Sequence, residues 1–139
     1  MRRWFALAAV GVSVLLVACS SSPTEPVDNH LVVAVGAPFQ LKVAETALIR
    51  NEDIQVQFRS VAEDSRCPAD VQCVWEGEAV TVFTVSQRGG ASDVRISTLH
   101  PSAALSGYRL TLQALEPYPL SLAGISQGEY RARLVVERL

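Results

Sequence analysis

The chain has 139 residues and a formal net charge of −2, from 12 Lys+Arg against 14 Asp+Glu. That is one domain's worth of chain, and with no basic surplus to neutralise phosphates no nucleic-acid partner is expected. Hydrophobic residues make up 49% and charged residues 19%, a balance that excludes an intrinsically disordered polymer.

Met1-Arg2-Arg3 is followed by an almost wholly apolar stretch from Trp4 to Ala18, then by Cys19 and the polar run Ser20-Ser21-Ser22. A charged start, a short apolar segment and a small residue before a cut site make a secretory signal peptide. The apolar run, about 15 residues, falls short of the ~20 that a spanning helix needs. Leu16-Val17-Ala18-Cys19 resembles the bacterial lipobox. That resemblance implies cleavage before Cys19, a diacylglycerol thioether on its sulfur and an acyl chain on its amine. Each buried CH₂ contributes roughly 0.8 kcal/mol, so one chain holds marginally and two or more anchor stably. An ordinary signal peptide with a chance cysteine is the alternative. Residues 1–18 are therefore expected to be a lipoprotein signal peptide, 19–30 a lipidated cysteine and flexible tether, and 31–139 the folded domain. The tether segment from Ser20 to Asn29 is polar and carries Pro23 and Pro26, a composition with no core of its own. By the same resemblance, serine directly after the lipidated cysteine implies outer-membrane sorting in a Gram-negative source, facing the periplasm or the surface. Two arginines leave with the signal, so the mature domain is more acidic still and gains nothing from an anionic lipid surface.

Beyond the tether the apolar residues alternate with period two, the signal of half-buried strands. Leu31–Val35 is a short apolar run. Phe39, Leu41 and Val43 alternate with polar or small neighbours, as do Ile54, Val56 and Phe58. Ala79–Val85 is rich in β-branched residues. Val94 and Ile96, then Tyr108, Leu110, Leu112 and Ala114, then Tyr130, Ala132, Leu134 and Val136 repeat the alternation. Turn-forming residues separate the runs: Asn51-Glu52-Asp53, Arg88-Gly89-Gly90, Ser106-Gly107, Pro117-Tyr118-Pro119 and Gly128. No helical stripe is evident, and Ala44–Arg50 would make one turn at most. The expected fold is all-β: a single antiparallel β-sandwich, Ig-like, or a small barrel, of about seven strands with one disulfide-closed loop. The expected core is Phe39, Leu41, Ile54, Val56, Phe58, Val82, Ile96, Leu110, Leu112, Tyr130 and Leu134, each contributing roughly 1.5–3 kcal/mol on burial.

With Cys19 lipidated, Cys67 and Cys73 remain as an even pair in an oxidising compartment, which reads as a disulfide. Closing that loop stabilises by roughly 2 kcal/mol on the chain-entropy estimate, and Pro68 stiffens it further. A zinc site usually needs four closely spaced ligands. Only two thiols exist here, and His30 and His100 lie far off in sequence, so no metal is assigned.

The segment Asp64-Ser65-Arg66-Cys67-Pro68-Ala69-Asp70-Val71-Gln72-Cys73-Val74-Trp75-Glu76-Gly77 resembles the D-S-R-C-P-x-x-V-x-C-x-W-x-G motif of an uncharacterised bacterial secreted and lipoprotein β-domain family. Glu45-Thr46-Ala47, Tyr108-Arg109-Leu110, Pro117-Tyr118-Pro119 and Gly128-Glu129-Tyr130 match as well, so the resemblance spans about residues 35–137. The family often has Gly or Ala where Glu76 stands and Gly where Ala44 stands. The resemblance implies a shared β domain and brings no activity with it.

Asp64, Arg66, Pro68, Asp70 and Trp75 form the candidate binding loop. Asp64 and Arg66 read first as structural, the acid orienting loop backbone and pairing with the arginine. Packing on the disulfide is the favoured reading of Trp75; an exposed Trp would instead mark a ligand platform. Glu63, Asp64, Asp70, Glu76 and Glu78 face only Arg66, an acidic loop that lacks the regular ligand spacing of a calcium site. A stiff Arg66–Cys73 loop would also suit a protease inhibitor, since preorganisation lowers the cost of binding. No histidine stands near a nucleophile and no G-x-S-x-G elbow exists, so no catalytic residue, enzyme activity or cofactor is assigned. The expected protein is a membrane-anchored bacterial lipoprotein whose non-catalytic domain binds an envelope partner or serves an envelope-structural role. A protease inhibitor and, more weakly, a calcium-stabilised module are the alternatives.

Overall fold

The computed structural model describes residues 30–139. The expected signal peptide, the lipidation site Cys19 and the tether up to Asn29 lie outside the described residues. Nine strands follow in order: β1 (His30–Val33), β2 (Phe39–Lys42), β3 (Thr46–Ile49), β4 (Ile54–Asp64), β5 (Ala79–Gln87), β6 (Gly90–Ser97), β7 (Ser102–Leu105), β8 (Tyr108–Glu116) and β9 (Arg131–Arg138). They form two sheets, β1-β3-β4-β5-β6 and β2-β9-β8-β7, packed as a β-sandwich rather than closed as a barrel. Every neighbouring pair is antiparallel except β1 with β3, which run parallel.

Alternation builds the core. Ile54, Val56 and Phe58 of β4 and Phe83 and Val85 of β5 point inward from one sheet. Leu41 of β2, Leu110 and Leu112 of β8, and Ala132, Leu134 and Val136 of β9 answer from the other. Phe58 and Phe83 sit opposite each other in the β4–β5 register, their rings stacked with centroids 5.1 Å apart. All eleven residues of the expected core are buried.

Two strands exceed the expected seven. The Ala44–Arg50 segment is no helical turn: β3 pairs with β1 on one side and β4 on the other, burying Ala47 and Ile49. Pairing on both edges overrides the weak strand preference of its Ala and Leu. β7 (Ser-Ala-Ala-Leu) has only small residues to alternate. His30, placed in the tether by sequence, is the first residue of β1.

Bulges reshape the longest strands. In β4 the register shifts between Phe58 and Ser60 and again between Val61 and Glu63. Each extra residue offsets the inward face by one, so the sequence Phe58, Val61, Asp64 turns inward at intervals of three. In β8 a shift between Leu112 and Ala114 buries Leu115 where simple alternation points to Ala114.

Candidate functional site

The β4–β5 hairpin does not end at Asp64 and Ala79. The Ser65 N–H donates to the Glu78 carbonyl at 2.8 Å and the Cys67 N–H to the Glu76 carbonyl at 3.0 Å, so the paired strands run on into the cysteine loop. Gly77 makes this possible. Its φ is +68°, and a Cβ there would lie 1.9 Å from the Ser65 carbonyl oxygen; only glycine lets the strands approach so closely. Cys67 and Cys73 close the tip as a disulfide, with Cα atoms 5.9 Å apart. The Ala69 N–H donates to the Pro119 carbonyl at 3.0 Å, tying this tip to the loop that follows β8.

Beneath the tip lies a buried ionic node. Arg66 is 8% exposed. Its Nε and Nη2 donate to Asp64 Oδ1 and Oδ2 at 2.8 and 2.7 Å. The guanidinium also donates to the Leu115 carbonyl at 2.8 Å and the Pro117 carbonyl at 3.0 Å, and it lies 5.2 Å from the centre of the Tyr118 ring. The Tyr130 hydroxyl donates to Asp64 Oδ2 at 2.9 Å. No buried nitrogen or oxygen atom of the pair lacks a hydrogen-bond partner, the condition under which a buried charge pair is tolerated. Burial works to raise the Asp64 carboxyl, but the hydrogen bonds from Arg66 and Tyr130 and the Arg66 charge outweigh it and hold the group below the usual aspartate range. Burial, then the Asp64 carboxylate, pushes the Tyr130 phenol up to about 12.

The candidate loop residues thus divide. Asp64 and Arg66 face inward and join the two sheets. Pro68 is half-buried beside the disulfide, whereas Asp70 and Trp75 stand in solvent. The favoured reading of Trp75 as core is overturned: it is 82% exposed, and its neighbour Val74 is 94% exposed. Three residues past Asp64 the chain has turned out of the sandwich into the hairpin extension, so the tip has no core to reach. Within the Arg66–Cys73 loop proposed for a protease inhibitor, the Arg66 guanidinium is committed to Asp64 and two carbonyls, so the loop presents no free arginine side chain.

The acidic residues do not converge either. Asp64 is taken by Arg66, Glu63 lies 3.8 Å from Arg95, and Glu78 accepts the Ser97 hydroxyl. Among the described residues no three His, Cys, Asp or Glu side chains are placed to hold a metal ion.

Sequence reasoning missed the apolar company of Trp75. Leu99, in the turn after β6, lines an open hollow with Cys73, Val74, Trp75 and Gly77. Across the disulfide, Leu122 and Pro119 line a second hollow with Cys67, Pro68 and Cys73. Leu120 and Leu122 are exposed in the loop after β8. A signal existed in Tyr118-Pro119-Leu120-Ser121-Leu122, whose large apolar residues sit among turn formers with no strand to bury them. Comparison with protein families, with curated proteins and with solved structures finds no match to this chain.

Proposed function

We propose that this chain is a membrane-anchored bacterial lipoprotein whose β-sandwich is a non-catalytic binding domain, with the cysteine-loop end as its binding surface. The observation that carries this reading is the position of Trp75 and Val74: large apolar side chains in full contact with water, on a hairpin tip stiffened by a disulfide and by Gly77-dependent pairing. Exposed apolar clusters on an otherwise well-packed domain mark interaction surfaces, and a rigid tip loses little freedom when it binds. The buried Asp64–Arg66–Tyr130 node supports the reading by bracing the tip against both sheets. The lipobox at Leu16–Cys19 supports anchoring in the cell envelope, and serine at position 20 supports the outer membrane in a Gram-negative source.

The test is site-specific photo-crosslinking in cells. A photoreactive residue replacing Val74 should give discrete adducts, and the same residue replacing Arg88, in the β5–β6 turn at the opposite end, should give few. Equal labelling from both sites, or none from Val74, would contradict the assignment of this end as the binding surface.

A further inference from the structure

Ten large apolar side chains are exposed among the described residues, and seven of them, Val71, Val74, Trp75, Leu99, Tyr118, Leu120 and Leu122, lie in the three loops at the cysteine-loop end. The direction of β1 says where this end sits relative to the anchor. β4 runs from Ile54 toward the cysteine loop. β3 is antiparallel to β4, and β1 is parallel to β3. β1 therefore runs away from the cysteine loop, and the chain reaches His30 from the loop side. Through Thr46, His30 is level with Gln57, and the stretch of β4 from there to Ser65 covers roughly 26 Å. Ten residues lie between Cys19 and His30, and the eleven Cα-to-Cα steps they make span at most about 36–40 Å when extended. The segment from Cys19 is long enough to bring its anchor level with the apolar loops.

We propose that the cysteine-loop end lies against the lipid bilayer, with Trp75, Val74, Leu120 and Leu122 seated in its interfacial region. The inference rests on lipid anchoring at Cys19 and names the occupant of the surface assigned above. Two features favour a lipid surface over a protein groove. The apolar groups are spread over three loop tips flanking open hollows, as a plane would meet them. Trp and Tyr, both present here, are the aromatic residues that sit at membrane–water boundaries. Asp70 and Glu76 flank Trp75 without an ion-pair partner among the described residues, so the matching headgroups are zwitterionic rather than anionic.

The mature chain carries its own reporter. Of the two tryptophans, Trp4 leaves with the signal and Trp75 remains. Full-length mature protein extracted from membranes is placed in phosphatidylcholine–phosphatidylethanolamine vesicles, with its N-terminal mass measured on the same sample. Trp75 emission should move to shorter wavelength than in detergent-free solution, lose its quenching by aqueous iodide and gain quenching by brominated phosphatidylcholine. The pair Leu120→Glu and Leu122→Glu, at exposed positions where folding is undisturbed, should lose most of the bromolipid quenching. With Cys19 acylated, Trp75 still open to iodide would overturn docking and leave the anchor standing. Shielding from iodide without bromolipid quenching would overturn the lipid as occupant in favour of a protein or a second copy. An unacylated N-terminus would overturn the anchoring on which the inference rests.

Discussion

Arg66 and Asp64, two residues apart in sequence, face each other in a two-point ion pair, Nε to Oδ1 at 2.8 Å and Nη2 to Oδ2 at 2.7 Å. The spacing works because the second β4 bulge turns Asp64 inward just as the strand leaves the sandwich, so both side chains fold back under the loop. From there Arg66 reaches the Leu115 carbonyl of the other sheet and the Pro117 carbonyl just past its β8 strand. The opposite end carries a counterpart: Glu52, in the β3–β4 turn, accepts from Tyr108 and Arg138 of the other sheet. Each end of the sandwich is thus closed by an acid, an arginine and a tyrosine.

Replacing one partner of a buried pair strands the other. Arg66→Met should cost ~3–5 kcal/mol, because the Asp64 carboxylate loses its counter-charge and keeps only the Tyr130 hydroxyl while two carbonyls lose their donor. Tyr130→Phe, which removes one hydrogen bond to a carboxylate, should cost about 1.5–3 kcal/mol. Urea unfolding of the two variants checks the order; equal losses would contradict the node.

The node also sets pH limits. Asp64 is held below its ordinary value in the folded chain, so its contribution is complete above an unfolded value of about 3.9 and is lost as pH falls through the folded one. Glu52, held low by its Tyr108 hydrogen bond and by Arg138, and Glu129, held low by Ser126, titrate in the same acid range. The comparison with Asp64→Asn isolates the node: the stability gap between wild type and variant should narrow as pH falls. Tyr130 is raised to about 12, so its proton is held more tightly in the folded chain. That contribution is full below about 10 and fades as pH rises toward the folded value. Tyr130→Phe should flatten the alkaline limb of the pH–stability curve.

Two backbone positions give opposite signs. Gly77→Ala places a methyl into the Ser65 carbonyl at a left-handed φ and should cost about 3 kcal/mol or more, or prevent the hairpin tip from pairing. Ala44 has φ +74°, a conformation costing an L-residue roughly 1–2 kcal/mol, partly offset by the unfolded-state freedom glycine adds. Ala44→Gly should therefore stabilise by about 0.5–1 kcal/mol. Thermal unfolding of both variants checks the pair.

Reduction should act locally. The disulfide closes a short loop at the tip of a hairpin whose stem is paired independently, so its loss should cost about 2 kcal/mol and leave the sandwich cooperative. Chemical denaturation with and without reductant checks this; global unfolding on reduction at 25 °C would contradict it.

Much of the fold was legible because period-two alternation survives wherever a strand has no bulge. β4 could be read only to Phe58, since the two bulges beyond it destroy the period. β3 was hidden because Ala47 and Leu48 carry no strand signature, and its identity comes from neighbours on both sides. At the site, the pairing of Cys67 with Cys73 followed from compartment and count. Burial of Arg66 and exposure of Trp75 did not, because both depend on where the bulged strand leaves the core. Leu99 and Leu122 meet the tip only through tertiary structure, and no local pattern links them to it.

Intact-mass analysis of the protein extracted from membranes tests most directly the two fates proposed for the three sulfurs, lipidation of Cys19 and pairing of Cys67 with Cys73. The expected result is a chain beginning at Cys19 that carries diacylglycerol and an acyl group, with no thiol that alkylates before reduction and two that alkylate after it. A chain beginning elsewhere without lipid, or one with Cys67 and Cys73 freely alkylated as isolated, would contradict it.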